Sequence, residues 1–317
     1  MSHSMFMLAQ NGDLKHAEDL SLFYDDNFIA QIKYDGVRAQ LVMDDDGTCH
    51  LYTRTISKKT GLPVDKADRV PHLMEEFYNT VTPGTIIDGE VVYPGEESTF
   101  NKVTHILGSS PEKAVTIQES DKKLQFIAFD LVAFAGYYRE DGCMDRYNAL
   151  VDVLTFENEI SKPYIQIAVN FTGSQKMAAY KMELANGGEG LMFKNISGLY
   201  CRGKRPHNNW IKCKLSQQFE VMVVGFTEAK ATSVKKGSTE ATVSRIAGLP
   251  GAIQISAKGP EGDYFYAGEV AGFSDEQRLQ FHGNPGRYIG KLCVIEAQKR
   301  FDSGMFQNPR FICMKES

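Results

Sequence analysis

FIAQIKYDGVRAQLVM, residues 28–43, holds two runs rich in Ile, Val and alternating apolar residues, interrupted by Asp35-Gly36. Such runs favour extended backbone, and Asp-Gly accepts the positive φ of a tight turn, so the stretch predicts two strands joined by a turn. Asp44-Asp45-Asp46-Gly47 is a second turn signal, and His50-Leu51-Tyr52-Thr53-Arg54 follows as a further strand. The region reads as the start of an antiparallel meander.

Working outward, Pro71 ahead of residues 72–78 predicts a helix with proline in its first turn, and TIIDGEVVY, residues 85–93, a strand pair or a bulged strand. LQFIAFDLV, residues 124–132, is a buried-strand candidate. Residues 145–158 and 174–186 have helical spacing, the second with Ser174 as N-cap and Gly187-Gly188 as stop; residues 190–194 and 209–213 return to strand. Strands and helices mix without regular βαβ alternation, which gives an α+β fold with largely antiparallel sheets.

After Lys214 the character changes. FEVMVVGF, residues 219–226, opens a series of short strands at 252–257, 264–270 and 292–297, with a helix-like insert at 274–281. Short strands with one helix suit a small all-β oligonucleotide-binding (OB-fold) barrel. A chain of 317 residues exceeds the roughly 100–200 of one domain, and the boundary falls near residue 216, giving domains 1–216 and 217–317.

Composition is that of an ordinary globular protein, 42% apolar and 24% charged. The six cysteines are scattered without a C-x-x-C pair, which argues for reduced thiols and against a zinc site. No apolar run approaches the roughly 20 residues that span a bilayer, and an intracellular protein is expected. The net charge of −5 speaks against a protein that coats nucleic acid, but Lys194, Arg202, Lys204, Arg205, Lys212 and Lys214 form a strip without an acidic residue. A merely solvated basic face is the alternative there.

Five short blocks occur in order: Lys33-Tyr34-Asp35-Gly36-Val37-Arg38, Asp88-Gly89-Glu90, Phe129-Asp130, Glu189-Gly190 and Lys212-Cys213-Lys214. Singly each is weak; a lone strand lysine is usually a surface residue. Together they resemble the covalent nucleotidyltransferase superfamily of DNA ligases, RNA ligases and mRNA capping enzymes, over roughly residues 5 to 217. Met7-Leu8-Ala9 resembles the entry of the ATP-dependent DNA ligases, in a minimal two-domain form.

The chemistry suits these residue types. A lysine amine attacks only when neutral, a state favoured at a partly desolvated strand end among other cations, where Lys33 is expected. Attack on the α-phosphate of ATP would give lysyl-AMP and pyrophosphate, with charge balanced by cations and Mg²⁺, or Mn²⁺ in its place. Lys212 and Lys214, two apart on a strand, would reach that phosphate from one face.

The resemblance implies the other roles. Glu90 would bond the ribose, Phe129 stack on adenine, Glu189 organise the metal, and Ile32 border the nucleotide beside Lys33. Arg38 and Arg54 would hold the nick phosphate and neighbouring backbone, Arg205 or Lys204 contact phosphate, and Asp35 act in the steps on DNA. Phe129 as plain core is the alternative for that residue. At the C-terminus, residues 307–315 resemble a last family motif that orients pyrophosphate; Gln307 stands where the family has arginine, leaving Lys315 as the cation.

The implied activity is sealing of 3′-OH/5′-phosphate nicks in double-stranded DNA by a monomer, through lysyl-AMP and adenylylated DNA, in replication, repair and recombination. The alternatives are an RNA ligase, a GTP-using capping enzyme, or a non-catalytic nucleic-acid-binding protein. Lys230, Lys235, Lys236 and Arg245 are candidates for a loop that clasps DNA.

Overall fold

A computed structural model describes residues 6–13, 20–58, 60–95, 100–155, 163–230, 232–234, 241–243, 246–259, 262–301 and 303–315. The chain divides into two compact units, Met1–Leu215 and Ser216–Ser317.

The first unit carries strands β1 (Gln10–Gly12), β2 (Phe28–Ile32), β3 (Val37–Met43), β4 (Cys49–Ile56), β5 (Pro63–Asp65), β6 (Thr85–Val92), β7 (Gln125–Phe134), β8 (Tyr137–Tyr138), β9 (Ile165–Ile167), β10 (Gly190–Asn195) and β11 (Trp210–Lys214). Its helices are α1 (Pro71–Tyr78), α2 (Phe100–Gly108), α3 (Pro111–Ser120), α4 (Cys143–Thr155) and α5 (Gln175–Asn186). The strands form two sheets, a four-stranded one in the order β1-β11-β10-β2 and a seven-stranded one in the order β5-β4-β3-β6-β7-β8, with β9 added beside β7.

The expected hairpin at Asp35-Gly36 is therefore corrected. β2 pairs with β10, from Ile32 opposite Leu191 to Phe28 opposite Asn195, whereas β3 pairs with β4 and β6. Residues 33–36 pass from one sheet to the other instead of closing a turn. β2 shows why: Phe28, Ile29, Ala30 and Gln31 are all buried, so both of its faces are covered, unlike a half-solvated hairpin strand. The meander does hold from β3 through the 44–47 turn to β4, with Ala39 opposite Thr53 and Met43 opposite Cys49.

β6 is one strand with two register shifts against β7, the bulged alternative. Helix α5 ends at Gly187, whose φ of 70° is the left-handed cap expected there, but Ser174 adopts helical angles and its side chain makes no cap bond. Helices α2 and α3 are additions to the sequence expectation. Helices α1, α2 and α4 cover the outer face of the large sheet through Leu73, Phe77, Val103, Ile106, Leu150 and Leu154. The inner faces of the two sheets meet through Met7, Val42, Ile86 and Val132 against Tyr200 and Trp210.

The second unit carries β12 (Gln217–Glu228), β13 (Thr232–Val234), β14 (Ala241–Val243), β15 (Pro250–Lys258), β16 (Tyr264–Val270), β17 (Leu292–Ala297), β18 (Arg310–Met314) and helix α6 (Asp275–Gly283). Five strands run in the order β16-β15-β12-β17-β18. A bridge between Ala271 and Arg310 brings the chain beyond β16 beside β18, which curls the sheet toward closure. Its core is built from inward residues such as Val221, Val223, Ile253, Ile255, Ile295 and Phe311. Helix α6 starts with a capping box of Ser274 and Gln277 and buries Phe281. The side chains of Lys235, Lys236 and Arg245 lie outside the described residues. Among the described residues no helix is long and apolar enough to cross a membrane.

Candidate active site

The link between the two sheets carries Lys33, Tyr34, Asp35 and Gly36. The Lys33 amide donates to Gly190 O at 2.9 Å, extending the β2 to β10 pairing by one step past the strand end. A Cβ on Gly36 would lie 2.2 Å from Val91 O, so only glycine lets the link press against β6. A Cβ on Gly190 would likewise stand 2.2 Å from Cys213 O.

These close approaches bring the second, fourth and fifth blocks to the first. Lys33 Nζ donates to Glu189 Oε2 at 2.5 Å, and Lys214 Nζ lies 2.9 Å from Glu189 Oε1. One carboxylate, 10% exposed, thus sits between two ammonium groups that are 19% and 44% exposed. Lys212, one pleat from Lys214 on β11, faces the same way. Desolvation lowers the Lys212 ammonium below its ordinary range, and the charges of Lys33, Lys214, Arg205 and Arg54 add to that effect. Five basic groups therefore converge, four of them on Lys212, with Arg54 and Arg205 on the exposed side. Such a cluster is an anion receptor before any ligand is named.

The large sheet supplies the opposite wall. Glu90 on β6 is pushed from an ordinary value of 4.5 up to about 8, first by desolvation, with Glu189 and Asp88 adding to it and Lys33 and Arg38 opposing. The unfolded chain then ionises Glu90 at lower pH than the folded one. Between about 4.5 and 8 the unfolded state binds fewer protons, so rising pH removes stability through this group. Glu90→Gln should accordingly gain in melting temperature relative to wild type as pH rises through that window, with a constant gap above it. Parallel melting curves at pH 5 and pH 8.5 with the same gap would refute the buried-acid assignment.

Phe129 on β7 is partly exposed, packed on one side against Trp210, with centroids 5.7 Å apart at 80°, and close to Tyr34, Val92 and Ala168. It belongs to the wall without being sealed inside it. Ile32, at the end of β2, is partly buried against the core beneath that sheet. Asp35 is partly buried in the link itself.

Two expected phosphate contacts are arranged otherwise. Arg38 turns inward: its Nε and Nη2 donate to Asp88 Oδ1 at 3.1 Å and Oδ2 at 2.6 Å, and Nη1 donates to Met7 O at 2.7 Å. Phe6 and Trp210 flank the guanidinium with centroids 5.3 and 5.2 Å away. Burial works against its charge, but Asp88 and Tyr200 outweigh it and hold the group charged well above its ordinary value. To touch DNA, Arg38 would have to leave a buried bidentate pair. Lys194, counted in the basic strip, is 1% exposed, with Nζ between the rings of Phe129 and Trp210, 4.3 and 4.2 Å from their centroids. The strip is thus interrupted: its exposed members are Arg202, Lys204, Arg205 and Lys214. In the second unit, Lys315 is exposed and paired with Glu220 Oε1 at 2.6 Å.

Sequence reasoning did not single out Tyr200 and Trp210 as parts of the wall, and it gave Asp88 no role of its own within the second block. The Tyr200 hydroxyl donates to Asp88 and accepts from the Met7 amide at 3.2 Å, tying residue 7 to both sheets. Among the described residues no group of three or more His, Cys, Asp or Glu could cage a metal. Glu189 between two lysines fits a hard divalent cation that takes most of its oxygens from phosphate and water, as Mg²⁺ does in nucleotide sites.

Two largely antiparallel sheets with a lysine and carboxylate cluster at their junction, followed by a five-stranded unit, define a protein of the nucleotidyltransferase superfamily. The model of the ATP-dependent DNA ligase domain matches residues 6–214, and the chain belongs to that family. The DNA ligase of Halobacterium salinarum is 29% identical over 337 aligned residues, covering 98% of this chain and 55% of that protein. The DNA ligase of Haloferax volcanii is 28% identical over 188 residues, 58% of this chain and 30% of its own length. The chain thus spans between 30% and 55% of the length of these relatives. Among solved structures, a Lig E DNA ligase described as binding DNA with a minimal scaffold superposes with a TM-score of 0.66 at 19% identity, covering 99% of this chain and all of that one. That likeness establishes the shared fold.

Proposed function

We propose that this protein is an ATP-dependent DNA ligase that seals 3′-OH/5′-phosphate nicks in duplex DNA as a monomer. The observation that carries it is the Lys33 amine beside Glu189, within the cluster of Lys212, Lys214, Arg54 and Arg205. Residues 1–216 act as the adenylation domain and 217–317 as the OB-fold domain.

In the first step Lys33 Nζ parts from Glu189, gives up its protons to solvent and attacks the α-phosphorus of ATP. A phosphorus–nitrogen bond forms, the bond to the bridging oxygen breaks, and pyrophosphate leaves. Lys212 and Lys214 stabilise the charge that grows on the phosphate oxygens. Glu189 orients Lys33 beforehand and would hold a divalent ion, whose positive charge offsets that of the phosphates. Lys315, once parted from Glu220, is the cation proposed to orient the leaving pyrophosphate. AMP then passes from Lys33 to the 5′-phosphate of the nick, and the 3′-hydroxyl displaces it. Arg54 and Arg205, both exposed, are better disposed than Arg38 to meet DNA phosphates, and Asp35 serves the steps on DNA.

Ile32 and Phe129 border the base and Glu90 bonds the ribose. Phe129→Ala should raise the KM for ATP by an amount matching roughly 1–3 kcal/mol of stacking, and Phe129→Tyr by much less. Equal effects of the two substitutions would assign Phe129 to core packing alone. The whole reading is tested by supplying nicked duplexes with ATP, GTP or NAD, with DNA or RNA on the 5′-phosphate side. Sealing of DNA with ATP is expected. Sealing confined to RNA strands would favour an RNA ligase, and binding without joining a non-catalytic protein.

A further inference from the structure

Phe129 occupies an irregularity in its own strand. Asp88 pairs with Asp130 and Gly89 with Ala128, so Phe129 is the extra residue of a bulge between β6 and β7. A bulge turns a side chain out of the regular pleat and leaves its backbone without a ladder partner. Lys194 meets that backbone: its Nζ donates to Phe129 O at 3.3 Å. Lys194 stands on β10 directly opposite Trp210 on β11, and its ammonium also lies over the rings of Phe129 and Trp210.

An ammonium is an expensive group to bury, and a methionine of similar length would fill the space without the desolvation penalty. What the lysine adds is direction. Its charge is attracted to the faces of both rings and its N–H bond holds one carbonyl. With the ammonium over one face of Phe129, a base can stack only on the other. Among the described residues no carboxylate stands at hydrogen-bond range of this charge: Asp130 is taken by Arg146 at 2.7 Å and Asp88 by Arg38 at 2.6 Å. Burial draws the amine down to about 8, opposed by Cys143, Asp130 and Asp88 and reinforced by Arg38.

We propose that Lys194 is a positioning residue for nucleotide binding: it pins the bulged carbonyl of Phe129 and occupies one face of its ring, so that the other face is set to receive the purine. The inference rests on the assignment of Phe129 as the stacking platform made above.

The test measures self-adenylylation by the full chain over a range of ATP concentrations. Lys194→Met should raise the KM for ATP about tenfold, the scale of one misaligned stacking contact, while the maximal rate stays within about threefold of wild type. Lys194→Gln, which keeps a donor for the carbonyl but no charge, should fall between the two and serves if the methionine variant does not fold. Because Lys194 acts through Phe129, the same substitution in a Phe129→Ala background should change KM by less than about twofold. Trp210, the single tryptophan of the chain, gives a second signal: its emission should change with Lys194→Met in the absence of ATP. An unchanged KM for both variants, or an equal rise with and without Phe129, would overturn the positioning role while leaving the ligase assignment intact. Absence of adenylylation in the wild type would instead sink the ligase assignment, and the role of Lys194 with it.

Discussion

Lys33→Ala should abolish both the covalent AMP adduct and ATP-driven sealing, yet still join a nick supplied with AMP already on its 5′-phosphate. In the proposed mechanism Lys33 is consumed as nucleophile in the first step and leaves in the second. In the third the DNA 3′-hydroxyl attacks an activated phosphate, and the enzyme contributes position and charge. Glu189 keeps a cation in the variant because Lys214 also contacts it. Joining of the pre-activated nick should be slower than in wild type, since one positive charge near the phosphate has gone. Normal ATP-driven sealing by Lys33→Ala would end the covalent mechanism for this chain.

Arg38→Ala should be the most destabilising of the site substitutions, by about 3–5 kcal/mol, because it strands a buried carboxylate. Asp88 is 0% exposed and would keep the Tyr200 hydroxyl as its remaining donor. The bond to Met7 O would go as well, loosening residue 7 from both sheets. Arg54→Ala, at an exposed position, should stay within about 0.5 kcal/mol of wild type while weakening nick binding. Urea unfolding of the two variants separates the cases. If Arg38→Ala melts like wild type and only DNA binding suffers, its guanidinium is free to serve phosphate, as the sequence motif alone implies.

Much of the candidate site's layout was legible in sequence because it is built from short blocks at strand ends. The glycines within them are there for close approach: Gly36 against β6 and Gly190 against β11. The two-residue spacing of Lys212 and Lys214 put them on one face by the pleat alone. Partnership between strands was less legible. Asp35-Gly36 has the composition of a hairpin turn, but local sequence cannot tell a turn that returns to the same sheet from a link that crosses to another. The burial of four successive residues in β2 was the deciding fact, and Gln31 among them disguised it. Helix α3 carried a readable start in Ser110-Pro111, where the serine side chain accepts from Lys113 N, but it sits on the outer face, away from the blocks. The inward turn of Arg38 and the burial of Lys194 follow from tertiary pairing with Asp88, Phe129 and Trp210, which charge pattern along the chain does not encode.

The central claim is that Lys33 carries AMP. The direct measurement is incubation with ATP labelled at the α-phosphate, separation on a denaturing gel, and mapping of the labelled peptide. Label retained through denaturation, located on the peptide containing Lys33, discharged by pyrophosphate and absent from Lys33→Ala is the expected result. Sealing activity without any retained label, or label on a lysine other than Lys33, would contradict it.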